Sequence, residues 1–227
     1  MDDWSQNLPR WGEQVTSEDL IARAQHLAET MRTRRSTRHF STRAVPREVI
    51  RSALEIAVSA PSGVNKQAWR FVAIERSANR QLIRELAEDE EARSHEQRAN
   101  VDWLTVTRNL SLPETKQYLE DAPWLIAVYV QETPDVQNSP TKLFVYESAA
   151  IATGFLVSAL HVLGLNSLVH APVAGDLIGA ISGKSEDERL LLLVLAGYRD
   201  GARATGSACA IRKKSFHAVA EIIGDKD

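Results

Sequence analysis

Apolar positions recur at helical spacing in the first part of the chain. Thr16-Ser17-Glu18-Asp19 has the form of a capping-box helix start, and Leu20, Ala24, Leu27 and Met31 then fall on one face. A second helix is predicted from Val45-Pro46-Arg47-Glu48, with proline at its first helical position and Ile50, Leu54 and Ala57 turned inward. Trp69 to Ile74 reads as a strand, and Ser77 opens a helix through Leu82, Ile83 and Leu86. From Glu88 to Leu112 charge rises and periodicity fades, a length that inside a compact domain marks either disorder or a functional lid. Pro113 restarts a short helix through Tyr118. Leu125 to Val130 is apolar and rich in β-branched residues, as a buried strand requires. The longest apolar stretch, Leu143 to Leu163, carries Glu147 and His161, so it reads as a core helix rather than a membrane span, closed by Gly164. Leu165 to Val169 and Leu190 to Leu195 supply two more strands, with a short helix from Asp176 to Ile181 between them. Helices alternating with strands give an α/β or α+β domain.

Composition narrows the function without choosing it. With 227 residues, 44% of them hydrophobic, the chain has material for one sizeable core, and nothing in it reads as a linker. The reading is a single domain over 1–227 with an irregular arm at 1–15. A net charge of −3 gives no reason to expect a nucleic-acid partner. The lone cysteine, Cys209, rules out an internal disulfide framework and suits a reducing cytoplasm. The polar, acidic start Met1-Asp2-Asp3-Trp4 reads as neither signal peptide nor anchor, so no membrane partner is expected.

Candidate chemistry concentrates in two places. Arg34-Arg35-Ser36-Thr37-Arg38 puts three guanidinium groups at the end of a helical segment, a cradle suited to a phosphate or other oxyanion. Alone, it reads more readily as a solvated helix end favoured by the macrodipole. About 25 residues on, the small-residue turn Ala60-Pro61-Ser62-Gly63-Val64-Asn65 leads through Gln67 and Trp69 into a strand. Gly and Ser put little bulk between the backbone and a flat ligand. Together the two segments suggest a cofactor with an anionic tail and a planar head. The other histidines, His26, His39, His161 and His217, show no metal-ligand spacing, and no metal is expected. The chain has no Gly-rich dinucleotide fingerprint, so NAD(P)H would bind transiently rather than in a Rossmann site.

The pair of segments resembles the flavin-binding signature of the nitroreductase superfamily, from about residue 32 to 220. That resemblance implies an α+β nitroreductase-like fold, a mostly antiparallel sheet flanked by helices, in an intertwined homodimer binding FMN. It assigns Arg34, Arg35, Ser36 and Arg38 to the phosphate and pyrimidine edge, joined by Lys213. It sets Pro61, Ser62, Gly63 and Asn65 against the ring from the other subunit, with Val169, His170 and Ala171 at its edge. Family members often carry arginine, lysine and proline where this chain has Lys213-Lys214-Ser215.

Within the superfamily the chain is most similar to the iodotyrosine deiodinase branch of reductive dehalogenases. That branch grips an amino-acid zwitterion with a Glu, a Tyr four residues on and a later Lys, positions that fall on Glu91, His95 and Lys116 beneath an 88–116 lid. Glu91 would meet an ammonium and Lys116 a carboxylate. The backbone N–H of Val64 would support a phenolate oxygen. On composition alone the acidic run at Glu88 is a solvated helix face. In the branch a threonine hydroxyl before a proline meets flavin N5 and favours one-electron steps; here that position is Ala171, within Val169-His170-Ala171-Pro172. Ala171 and His170 are therefore the positions expected to decide the chemistry, with His170 either reaching the flavin edge or buried structurally. Reductive dehalogenation of a halophenol or halotyrosine is the leading expectation. NAD(P)H-dependent nitro or quinone reduction is the alternative, with a non-catalytic flavin-binding protein as a third reading. Electrons come from NAD(P)H or from a separate reductase.

Overall fold

The computed structural model describes residues 15–76, 79–97, 115–132, 144–171, 174–202 and 213–223, with Glu91 and residues 94–97 described by their backbone alone. One sheet holds the strands β1 Trp69–Glu75, β2 Trp124–Gln131, β3 Asn166–His170 and β4 Glu188–Gly197. Their order is β1-β2-β4-β3, and every neighbouring pair is antiparallel. β2 is buried from Trp124 to Val130 because both its faces are covered. Leu125, Ala127 and Tyr129 pack with Ile83, Ala87, Leu119 and Ile178. Trp124, Ile126 and Val128 pack on the other face with Ile50, Ala53, Ala57, Leu156 and Leu160. A sheet sandwiched in this way needs apolar residues at both parities, which is why β2 reads as an unbroken apolar run.

The helices are α1 Ser17–Thr33, α2 Arg47–Val58, α3 Asn79–Gln97, α4 Tyr118–Asp121, α5 Val145–Val162 and α6 Gly175–Ser182. α5 is long and apolar enough to cross a membrane by length and composition, but its buried residues are core residues packed on α2 and the sheet. Glu147 lies on its exposed side. Gly164, with φ +82°, follows its last turn as a left-handed residue, where glycine carries no Cβ penalty. The expected α+β architecture is present: an antiparallel sheet with helices on its faces.

One local expectation holds with an addition, and two change. Thr16 caps α1 as expected, its Oγ1 accepting from the Asp19 N–H at 3.2 Å. The helix nevertheless buries none of its residues, and Leu20 and Leu27 are 61% and 56% exposed, because among the described residues it meets mainly the end of α5 and Lys213. The run after Glu88 is not irregular at its start: α3 continues to Gln97. Its periodicity is weak because acidic side chains there make tertiary hydrogen bonds in place of apolar contacts. The helix expected from Pro113 starts only at Tyr118. The 1–14 part of the arm, Ser77, Pro113 and residues 98–114 of the lid lie outside the described residues.

Candidate functional site

The end of α1 builds a cationic corner. The chain leaves the helix at Arg34, Ser36 forms a parallel bridge with Ser167, and the Thr37 N–H donates to Ser167 O at 3.0 Å. These contacts stitch residues 34–38 along the free side of β3. Arg35 Nη1 donates to Arg32 O at 2.6 Å and Arg34 O at 2.8 Å. Lys213 reaches the same turn, its Nζ 3.3 Å from Arg32 O and 3.5 Å from Met31 O. Part of the helix-end role is thus realised, since cations meet the last carbonyls. The Lys213 ammonium is held below its ordinary value by desolvation and then by Arg35 and Arg34. Mutual repulsion of this kind is relieved by an anion, so the corner fits a phosphate.

The turn before β1 is built differently. The Gly63 N–H donates to Ser148 Oγ at 3.1 Å, the Gln67 N–H to Ser62 Oγ at 3.0 Å and the Asn65 N–H to Ser62 O at 3.0 Å. Val64, Asn65 and Gln67 have φ of +49°, +56° and +48°. A β-branched residue such as Val64 in the left-handed region costs on the order of 1–3 kcal/mol, tolerated where neighbouring bonds fix the backbone. A Cβ on Gly63 would stand 2.9 Å from Phe144 Cβ, so the close approach to α5 requires glycine. Val64 itself is 96% exposed.

Turn and corner do not meet within one chain. Trp69 is level with Val130 and hence Arg189, at the start of β4, whereas Ser167 is level with Ala196 near its end. They are separated by three strand spacings, about 14 Å, and by seven residues of β4, about 23 Å. They occupy diagonally opposite corners of the sheet.

A second group gathers along the same β3 edge. His170, the last residue of β3, has Nδ1 2.7 Å from Ala171 O and Nε2 3.0 Å from the Tyr118 hydroxyl. Burial holds the imidazole below its ordinary value, with the Ala171 carbonyl opposing and the charges of Lys116 and Arg38 adding to the depression. Burial also pushes the Tyr118 phenol up to about 12. Lys116 is buried, and its ammonium is lowered by that burial against the attraction of Glu88. The Lys116 N–H donates to Glu88 Oε1 at 2.7 Å, while Arg84 donates to Glu88 at 2.8 Å and to Glu120 at 3.0 Å. Glu90 accepts from the Ala174 N–H at 2.8 Å. Glu88 and Glu90 therefore anchor α3 rather than forming a solvated face.

Arg34, Arg35, Ser36, Arg38, Val169, His170, Ala171, Lys116 and Lys213 are thus brought to one edge, while Pro61, Ser62, Gly63, Val64 and Asn65 stand at the far corner. The Glu91 and His95 side chains lie outside the described residues. Tyr118 and Glu88 escaped the sequence reading. A buried tyrosine needs a hydroxyl partner, but nothing local points to a histidine 52 positions away. A groove of about 490 Å³ between α2 and β1, lined by Leu54, Val58, Ala73 and Trp124 among others, lies on the other side of the sheet order from His170.

The nitroreductase family model matches residues 31–198. An iodotyrosine deiodinase of Haliscomenobacter hydrossis is 37% identical over 194 residues, covering 84% of this chain and 87% of that protein. A solved iodotyrosine deiodinase, oxidized and bound to FMN and 3-iodo-L-tyrosine, superposes with a TM-score of 0.65 at 28% identity, covering 77% of this chain and 90% of the other. An FMN-dependent nitroreductase of Mycobacterium smegmatis in complex with NADPH gives a TM-score of 0.66 at 20% identity, over 88% of this chain and 100% of the other, a likeness of fold.

Proposed function

The chain belongs to the nitroreductase family, and from that membership we propose that it is an FMN-dependent oxidoreductase that reductively dehalogenates a halophenol or halotyrosine-like substrate. The observation that carries this reading is the β3 edge, where a self-repelling cationic corner, the Val169–Ala171 segment and Lys116 line up in one chain. FMN supplies the redox chemistry, drawing electrons from NAD(P)H or a separate reductase, and the protein binds, orients and excludes water. Arg34, Arg35, Ser36 and Lys213 hold the phosphate, and Arg38 with Val169, His170 and Ala171 borders the ring.

Each site takes its cradle from one chain and Pro61, Ser62, Gly63 and Asn65 from a second copy. The diagonal separation of turn and cradle supports this homodimer, because one chain cannot apply both to one flavin. Exposed Leu20, Ile21 and Leu27 on α1, with Val219, Ile222 and Ile223 beyond Lys213, are apolar surface that a second copy would cover. The Val64 N–H supports a phenolate oxygen, Glu91 meets the ammonium of an amino-acid tail, Lys116 meets its carboxylate, and His95 hydrogen-bonds the same zwitterion. The chain acts as one domain, with a lid at 88–116, in the reducing cytoplasm that Cys209 suits.

Ala171 favours a second reading, nitro or quinone reduction, because a methyl group cannot donate to the flavin. The test is anaerobic. The protein with reduced FMN is mixed with halotyrosine, halophenol and nitrophenol while flavin reoxidation and halide are followed. Halide release establishes the dehalogenase, and fast reoxidation by the nitro compound alone establishes the second reading. Reoxidation by oxygen alone would sink both.

A further inference from the structure

Both ring nitrogens of His170 are committed, and to groups on different elements. A carbonyl only accepts, so the 2.7 Å contact with Ala171 O puts the proton on Nδ1. Nε2 of the neutral ring then accepts, and the Tyr118 O–H donates to it across 3.0 Å. The two rings lie 5.6 Å apart, tilted by 47°. Tyr118 is buried and opens α4, two residues after Lys116, whose own N–H is fixed by Glu88 of α3. A continuous chain of contacts therefore runs from α3 through the Lys116 segment and the imidazole to the backbone of Ala171.

Ala171 needs such a support. The β3–β4 ladder ends at the His170–Leu193 pair, so Ala171 lies past the strand, exposed, and is followed in sequence by a proline. A methyl side chain leaves only the Ala171 backbone N–H to meet a ligand there, and that donor keeps one direction only if the residue's backbone is held; the bond to Ala171 O holds the residue from its carbonyl side.

We propose that His170 and Tyr118 are positioning residues that hold Ala171, through its carbonyl, in one backbone orientation against the flavin and couple it to the Lys116 segment. This rests on the FMN reading above. The imidazole restores through Nδ1 the hold that the ladder no longer provides, and the Tyr118 O–H, donating to Nε2, ties the ring to the Lys116 segment.

Two substitutions separate the bonds. In His170→Asn the amide nitrogen takes the place of Nδ1 and keeps the Ala171 bond while losing Tyr118. In His170→Gln the longer amide reaches the Nε2 position and keeps Tyr118 while releasing Ala171. The readouts are the visible spectrum and the midpoint potential of bound FMN. His170→Gln is expected to alter the spectrum and shift the reduction equilibrium roughly threefold to tenfold, the size of one hydrogen bond, with His170→Asn close to wild type. Tyr118→Phe, which keeps the packing, should weaken halotyrosine binding by a similar factor of roughly three to ten with the FMN spectrum retained. Equal effects of the two His170 variants, or none from either, overturn the proposal. Nitrogen-15 NMR of the flavin-free protein tests it without any variant. An Nδ1–H tautomer at His170 supports it, and an Nε2–H tautomer overturns it. A wild-type chain that binds no FMN overturns the parent reading and this one together, whereas FMN binding with an Nε2–H tautomer overturns this one alone.

Discussion

Replacing Lys116 by methionine removes a buried ammonium while preserving most of the side chain's length and its apolar stem. The backbone bond from the Lys116 N–H to Glu88 Oε1 survives, because it does not involve the side chain. The stability effect follows from the ammonium's depressed titration. Its folded value lies below the 10.5 of the free side chain, so between the two the unfolded state binds more protons and stability rises with pH through that window. At neutral pH, below the window, the folded chain carries the net cost left after Glu88's attraction offsets part of the burial penalty, so Lys116→Met should leave the melting temperature close to wild type. Binding should move the other way. A charge-assisted hydrogen bond to a substrate carboxylate contributes about 1.5–3 kcal/mol, or roughly 10- to 150-fold in affinity. The assay titrates the oxidised, FMN-loaded protein with 3-iodotyrosine and with its decarboxylated amine, following flavin fluorescence. The variant should lose affinity for the amino acid and keep it for the amine. Equal losses for both, or a loss accompanied by a fall in melting temperature, would refute a carboxylate-binding role for Lys116.

Arg35→Ala should weaken FMN at least about tenfold while leaving riboflavin binding unchanged, measured by fluorescence titration; a parallel loss of both would place the residue away from the phosphate. Ala171→Thr restores a hydroxyl and should raise halide release relative to nitro reduction, and an unchanged ratio would count against the role given to that position. His170 has a folded value below the 6.5 of the free side chain, so the unfolded state binds more protons between the two, and stability is lost as pH falls through that interval. Urea melts of wild type and His170→Asn from pH 7.5 to 5 (working range about the histidine pKa) should converge toward the acid end. Mixing an Arg35→Ala chain with a Gly63→Val chain should restore about a quarter of the FMN sites through hybrid dimers, as random pairing of two-fold subunits requires. No recovery after confirmed subunit exchange would mean that cradle and turn do not come from different chains.

Local rules made much of the fold legible. The Thr16 cap, the continuous apolar run of β2 and the glycine closing α5 each depend on neighbours within a few residues, and each stands where the pattern put it. The acidic stretch after Glu88 misled because Glu88 and Glu90 meet Lys116 and Ala174, partners 28 and 84 positions away. Hydrophobic periodicity carries no trace of hydrogen bonds closed over such distances. The α1 stripe stands on a helix as its spacing predicts, but an apolar face shows in sequence whether or not its own chain covers it, and here it is exposed.

For the site, the residue types of the cradle and the turn were determined by the sequence alone, because clustered guanidinium groups and small turn residues are local features. The tertiary structure decided where they stand. Antiparallel pairing in the order β1-β2-β4-β3 puts the turn and the cradle at opposite corners, which no linear spacing reveals. It also decided that His170 spends both ring nitrogens on Tyr118 and Ala171, since a side chain's free donors and acceptors depend on what folding brings beside it.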